Sequence, residues 1–458
     1  MLFFMPLFPT FMFVDWLVPD DPGVRFWHEA GRFIVLAIPA SAVLIVLTAL
    51  LSASVRWIAL PRMNPGRYAV HGSMYYRKWL INQIQDTSLM TLHSVYATVF
   101  APLWYRLLGA RVGRKAEIST AMGVVPDMLT LGDETFIADA VMLGDDDVEN
   151  GWMTLRPTVI GHRSFVGNGA YVPDGTVLPP NVLIGVQSRA PQTERLRSGD
   201  TWFGSPPLHL PAREVATGFA DSLTFSPSRW RVIGRTAVET ARIVLPMAYS
   251  VGVGYAIVGS VLPVVDDAQG MGWLWLPLYL ALWGAMYGAG SMLVVLVLKW
   301  LLMGRYRPGS HPMWTPFVWL SEAVTNVYET MAVPAFLNYL RGTPMLPWVM
   351  RLFGAHIGRG VYLDTTDMTE FDCVRIGDQA ELNALSGPQT HLFEDRIMKI
   401  GTVDIGRGVT VRARTTVLYD ARVEDGVHLG PLTLVMKGET LPAHTRWRGS
   451  PAQPWPQD

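Results

Sequence analysis

Ile405-Gly406-Arg407-Gly408-Val409-Thr410-Val411-Arg412-Ala413-Arg414-Thr415-Thr416-Val417 carries an aliphatic residue at every sixth position. The count runs on through Val423, Leu429 and Val435, and Ile376 and Leu382 keep the same step before it. Earlier in the chain Leu131, Ile137 and Leu143, then Ile160, Val166, Val172, Leu178 and Ile184, repeat the pattern. Glycine often follows the aliphatic residue, as at Gly161, Gly167, Gly377, Gly406 and Gly430. A step of six fits neither an α-helix nor a simple hairpin stack. It fits a parallel β-helix, in which each short strand turns one aliphatic side chain inward and small residues permit tight corners.

The two runs are copies. Gly109-Ala110-Arg111-Val112-Gly113-Arg114 returns as Gly354-Ala355-His356-Ile357-Gly358-Arg359, an offset of 354 − 109 = 245. The same offset carries Leu131-Gly132-Asp133 onto Ile376-Gly377-Asp378 and Trp202-Phe203-Gly204-Ser205-Pro206 onto Trp447-Arg448-Gly449-Ser450-Pro451. The hexad phase breaks at 144–159 and at 389–404, which predicts one loop extruded from each coil, a common place for chemistry.

Of 458 residues, 50% are hydrophobic and 16% charged, and mean hydropathy is +0.24. The apolar excess is clustered. Phe33 to Val55, Ile243 to Val265 and Ala268 to Leu298 each have the length to cross a bilayer. Leu2 to Val18 is a fourth candidate, interrupted by Asp15. The reading is therefore a mixed α and β membrane protein: four transmembrane helices in two hairpins, and two tandem β-helix domains. The boundaries are 1–55 for the first hairpin, 56–108 for an interfacial helical linker and 109–210 for the first β-helix. A linker at 211–242, a second hairpin at 243–298, an interfacial linker at 299–353 and a second β-helix at 354–458 follow. Arginines and lysines flank the spans on the side of both β-helices, from Arg56 and Arg62 to Lys299 and Arg305. That places both β-helices in the cytoplasm beneath an inner (plasma) membrane. A charge of −1 excludes a nucleic-acid-coating protein, and one cysteine, Cys373, excludes a disulfide framework or a Cys-based zinc site. No metal site is expected.

The second break reads Gln389-Thr390-His391-Leu392-Phe393-Glu394-Asp395-Arg396; the first offers Asp146 where the second has His391. Histidine is a natural base for acyl transfer to an amine or hydroxyl. Glu394 or Asp395 is the expected support for its imidazole. The other reading is a surface histidine in a polar loop. Asp364, Asp367, Glu370 and Asp372 precede the loop. With Asn383 and Trp447 they are the candidates for binding substrate, the carboxylates holding a cationic acceptor; a solvated acidic face is the alternative. The first copy reads as degenerate.

Two hairpins, two hexapeptide domains and the His391 loop together resemble the membrane-embedded C-terminal region of the ε-poly-L-lysine synthetase-like nonribosomal peptide synthetases. The resemblance implies a left-handed coil. It also implies an amide-forming aminoacyltransferase that takes an aminoacyl thioester from the phosphopantetheine of a carrier protein. The acceptor would be an amino acid or a growing poly(amino acid), with an adenylation–carrier module as partner and no covalently bound cofactor. The adenylation and carrier domains of that family are missing from this sequence, and two polar domains stand where the family has three. Two other readings are an acetyl-CoA-dependent O- or N-acetyltransferase and a non-catalytic membrane scaffold for a synthetase. Hexapeptide enzymes often form trimers with sites between subunits. A homo-oligomer is thus one way to complete a site, and the neighbouring copy in a tandem chain is another.

Overall fold

The computed structural model describes residues 7–17, 26–60, 62–211, 218–266 and 272–455. Strand Thr158–Ile160 pairs in parallel with Leu129–Leu131 on one side and Val177–Leu178 on the other, so Ile160 lies between Leu131 and Leu178. Val166 lies between Ile137 and Ile184 in the same way, and Val172 beside Leu143. Ile160 and Leu178 are neighbours 18 residues apart, so three hexads make one turn of a three-faced coil. The second copy repeats this: Ile405 between Ile376 and Val423, Val411 between Leu382 and Leu429, and Val417 beside Val435. The aliphatic residues of the hexads fill both interiors. Glycine after them is a matter of space. A Cβ on Gly377 would stand 2.7 Å from the Arg407 backbone nitrogen, and one on Gly161 2.6 Å from the Pro179 carbonyl carbon.

Across the phase break, paired residues are 29 apart instead of 18 (Leu131 with Ile160, Ile376 with Ile405). The extra residues are not the loops expected at 144–159 and 389–404. They form hairpins, Asp147–Glu149 against Trp152–Leu155 and His391–Glu394 against Ile397–Ile400. Their two-residue turns, Asn150-Gly151 and Asp395-Arg396, have positive φ at both positions, which matches the twist of the flanking strands. Each hairpin gains a third antiparallel strand from the linker ahead of it, Gly66–Ala69 in the first copy and Gly309–Pro312 in the second.

Among the described residues three helices are long and apolar enough to cross a membrane: Val35–Ala59, Arg229–Val261 and Trp275–Leu302. The fourth candidate, Leu2 to Val18, lies partly outside the described residues and contributes an 11-residue helix, Leu7–Leu17. Most of Pro19 to Gly31 and of Asp266 to Met271, the segments between the candidate spans of each hairpin, also lies outside them. The expected linker at 211–242 is helical from Arg229 onward and continuous with the helix that runs to Asp266. Its lower turns carry a buried ionic knot. Arg235 donates to both oxygens of Glu117 at 2.9 Å and to Glu239 at 2.6 Å, and Glu239 accepts the backbone N–H of Val99. This ties the helix to the first coil.

Both copies use one device to seat a long apolar helix on its coil. Trp57 Nε1 donates to the Leu107 carbonyl and Trp300 Nε1 to the Leu352 carbonyl, each at 2.9 Å. Arg56 pairs with Asp127 where Lys299 pairs with Asp372, and each carboxylate also accepts a backbone N–H at 3.1 Å, from Met63 and Tyr306. The coils then face each other. Gln187 Nε2 donates to Thr416 Oγ1 at 2.7 Å, and the Ser205 N–H donates to the Ser450 carbonyl. Phe136 stacks on Phe393 with centroids 5.6 Å apart. Val186 and Phe203 of the first coil share an apolar cluster with Leu392, Leu418 and Leu434 of the second.

Candidate active site

His391 is the first residue of its hairpin strand. Side chains alternate along a strand, so Phe393 shares its face while Leu392 and Glu394 point the other way. The His391 and Phe393 rings meet edge to face at 5.9 Å. Glu394 is therefore not the support expected for the imidazole. It accepts from Lys399 and Lys437, each at 2.7 Å. Asp395 is not either, for it occupies the turn at the other end of the strand.

The imidazole partner comes from the coil turn below. His391 Nδ1 lies 2.8 Å from Glu370 Oε2, which also accepts from Thr390 Oγ1 at 2.6 Å and Thr369 Oγ1 at 2.7 Å. Glu370 is 0% exposed, and its other oxygen, Oε1, is buried with no partner among the described residues. Burial opposes ionisation of Glu370, yet the His391 charge and three hydrogen bonds hold it well below the usual carboxylate range. Burial likewise opposes the imidazolium, but the charge and hydrogen bond of Glu370, with smaller help from Glu322 and Asp139, raise His391 to about 9. With Nδ1 engaged, Nε2 is the nitrogen left for chemistry.

His391 lines a cavity of about 1180 Å³ between the two coils. Asp139 and Asn168 of the first coil form one wall, and Asp367, Gln389 and His391 of the second form the other. A third wall is a helix expected only to lie at the membrane interface. Pro316–Val327 and the π-turn Tyr328–Ala332 that follows it present Glu322, Thr325, Asn326 and Glu329. The i, i+3, i+4, i+7 spacing sets these four on one helical face. Arg242, on the helix Arg229–Asp266, closes a further side, donating to the carbonyls of Tyr96 and Ala97. The enclosing walls and the surrounding carboxylates push Glu329 up to about 8 and raise Glu322 and Asp367 as well, although the side chains of Glu329 and Asp367 stand exposed to the open cavity.

Of the residues singled out in the sequence, His391, Glu370 and Asp367 come together here. The others do not. Asp364 pairs with Arg341 at 3.1 Å, and Asp372 is the strut under Lys299. Asn383 Nδ2 donates to the Val411 carbonyl within the coil. Trp447 packs against the second coil's core, its Nε1 donating to Thr445. Glu322, Glu329 and Asp139 escaped the sequence reading. Comparing the copies would have exposed part of the set. The first has Met122, Val125 and Asp146 where the second has Asp367, Glu370 and His391, and Asp146 is tied up by Lys78. The strands of the two linkers, Gly66–Ala69 and Gly309–Pro312, stand 243 residues apart, and at that offset Glu322 falls on Trp79.

No family model matches the chain. Two solved acetyltransferases overlap parts of it, a maltose O-acetyltransferase from Clostridium difficile 630 and a serine acetyltransferase from Neisseria gonorrhoeae. The first is 13% identical over 38% of this chain and 89% of that one, with a TM-score of 0.21. The second is 16% identical over 42% and 69%, with a TM-score of 0.23. Overlaps this weak add nothing to the coil geometry above. The sequence match is of another order. Over 457 residues, 99% of its length, the chain is 57% identical to a delta-poly-L-ornithine synthetase of Acinetobacter baumannii, of which it spans 34%. The chain is thus homologous, end to end, to about one third of a poly(amino acid) synthetase, the kind of protein whose membrane region its tandem repeats resemble.

Proposed function

We propose that the chain is a membrane-bound, amide-forming aminoacyltransferase whose reaction takes place at His391 in the cavity between the repeats. The observation that carries this is the His391–Glu370 pair in the wall of that cavity. A buried carboxylate fixes the imidazole through Nδ1 and leaves Nε2 as the base. An amine reaches the site as an ammonium and must lose a proton before it can attack. A base raised to about 9 is well matched to that task. Nε2 hands that first proton on to solvent; the amine nitrogen then bonds to the thioester carbonyl carbon while the again neutral Nε2 takes its second proton. The C–S bond breaks, and the imidazolium returns the proton to the departing thiolate, giving an amide and a thiol.

The donor in this reading is an aminoacyl thioester on the phosphopantetheine of a carrier protein. Part of the cavity suits such an arm, for Met122, Met142 and Tyr171 of the first coil and Leu385 and Leu432 of the second stand exposed along it. The acceptor is a cationic amine. Asp139, Glu322, Glu329 and Asp367 outnumber the guanidinium groups of Arg242 and Arg414 that line the same cavity, and the relative's name specifies ornithine. The first repeat has no His–Glu pair and serves as the neighbour that completes the site.

The test is direct. The purified chain in detergent is given ornithyl-pantetheine and free ornithine, and the product is weighed by mass spectrometry. An ornithyl-ornithine amide is the expected product. Acetyl-ornithine from acetyl-CoA, with no amide from the aminoacyl thioester, would turn the assignment to the acetyltransferase reading.

A further inference from the structure

We infer that the first repeat supplies a catalytic group of its own: the side-chain amide of Asn168 donates to the thioester carbonyl oxygen as that oxygen becomes an oxyanion opposite His391. This rests on the proposed acyl transfer and adds to it the group that steadies its tetrahedral intermediate. Three observations lead to it.

The first is placement. A run of rings carries His391 across to the first coil. Phe165 stacks on Phe136 at 5.2 Å, Phe136 on Phe393 at 5.6 Å, and Phe393 meets His391 at 5.9 Å. Phe136 and Phe165 are paired on adjacent turns of that coil. Three residues after each stand Asp139 and Asn168, and the Gly169 N–H donates to the Asp139 carbonyl at 2.8 Å, which keeps the two corners in step. A small cavity of about 50 Å³ adjoins the large one here. Six residues border both: Ala97, Ser119, Asp139, Asn168, Glu322 and His391. Asn168 and His391 thus share one neck, each from a different repeat.

The second is the difference between the copies. At the 245 offset Asp139 and Asn168 fall on Ala384 and Ala413. The backbone is the same in both, since the Arg414 N–H donates to the Ala384 carbonyl just as that of Gly169 does to Asp139. The coil itself therefore has no need of polar side chains at this corner. The repeat without the base carries an acid and an amide there, and the repeat with the base carries two alanines.

The third is the supply of donors. As the amine nitrogen bonds to the thioester carbon, a C=O electron pair moves onto oxygen, and it returns when the C–S bond breaks. The protons travel through His391 as before. A donor aimed at that oxygen is worth more than most other contributions to such a step. In the neck, the carboxylates of Asp139 and Glu322 repel an oxyanion. Ser119 Oγ already donates to Asp139, and the Ala97 N–H to the Ile118 carbonyl. With His391 Nε2 engaged by the amine, the half-buried amide of Asn168 is the side-chain donor left, for it makes no hydrogen bond to the described residues.

The test pairs kinetics with binding, both on the full chain in detergent. Asn168→Ala puts at this corner the residue that the second coil carries at its own, so the coil accommodates it. Transfer from ornithyl-pantetheine to ornithine should lose roughly 10²–10³ in kcat, with both KM values within about threefold and the rising limb of the pH profile in place. Two inert pantetheine analogues are then titrated calorimetrically: a thioether with a methylene for the carbonyl, and a phosphinate whose tetrahedral P–O⁻ imitates the oxyanion. The wild type should bind the phosphinate at least about tenfold more tightly than Asn168→Ala does, and the thioether equally well. Asn168→Asp, which keeps the shape and loses the donor, should match Asn168→Ala in both assays. Ala413→Asn, on the second coil and outside the cavity, should leave transfer within about twofold of wild type. An Asn168→Ala variant with a kcat within about threefold of wild type would overturn the inference. So would one that binds the phosphinate as wild type does, or that weakens both analogues alike. A chain that acetylates ornithine from acetyl-CoA and makes no amide from the aminoacyl thioester would contradict the proposed reaction. A loss of roughly 10² in that acetyl transfer on Asn168→Ala would still support the inference, since both reactions pass through the same oxyanion.

Discussion

At the scale of single residues, the site turns on the pairing of His391 with Glu370. Glu370→Gln keeps the shape and removes the charge that raises the imidazole. The imidazolium then loses its main support, and its pKa falls from about 9 toward the ordinary value of about 6.5. The rising limb of kcat/KM against pH should move to lower pH, and the maximum should fall by roughly 10², within the usual span for a positioned base. The acceptor's own titration is common to both proteins, so the displacement between the two curves belongs to His391. A rising limb that stays in place would disprove the pairing as the source of basicity. Glu394 offers the contrast. Its carboxylate is held by Lys399 and Lys437 on the opposite face of the strand, so Glu394→Gln should keep transfer within about twofold of wild type in the same assay.

At the scale of elements, the coil, the long apolar helices and the linker helices each bring one part of the site, and they differ in how plainly the sequence announces them. The hexads were legible because inward side chains recur at a fixed step, and the fixed offset made the duplication legible too. The extruded hairpins carried a signal that went unread, the Asn150-Gly151 pair between two strand-like runs. Glu370 as the partner of His391 was not legible. It lies 21 residues earlier and reaches the imidazole only because the coil winds back beneath the hairpin, whereas Glu394 is nearer in sequence and faces away. Glu322 and Glu329 were hidden for a similar reason. The Pro316–Val327 helix reads as amphipathic and rich in aromatics, and only the fold shows that its polar face closes a cavity instead of meeting lipid headgroups. Asp372 misled in the other direction, since a carboxylate in a run of carboxylates does not reveal which helix end it holds. Lys299 is 0% exposed, so Asp372→Asn would leave its charge buried and unpaired. The expected cost is about 3–5 kcal/mol, seen as a lower melting temperature in detergent. Asp127→Asn under Arg56 should show the same drop. An unchanged melting temperature in both would contradict the strut.

At the scale of the whole molecule, duplication has produced two unequal halves that need each other. The second coil supplies the His391–Glu370 pair, and the first supplies the opposing wall with Asp139. The halves meet through Gln187 and Thr416, the Phe136–Phe393 stack and a shared apolar cluster. The ionic knot at Arg235 fixes the helix Arg229–Asp266 against the first coil, and a guanidinium–ring contact of 4.7 Å with Trp314 links it to the second linker. At His391's position the first half has Asp146, locked in a buried pair with Lys78 outside the cavity. Removing only one member would strand the other, so the control removes both, as Lys78→Met with Asp146→Leu. The most direct measurement is single-turnover aminoacyl transfer from the thioester to an ornithine acceptor, comparing His391→Ala with this double variant. The expected result is a loss of roughly 10²–10⁴ for His391→Ala and a rate within about threefold of wild type for the double variant. Equal losses in the two, or full turnover without His391, would contradict one active centre at His391 between a working repeat and a supporting one.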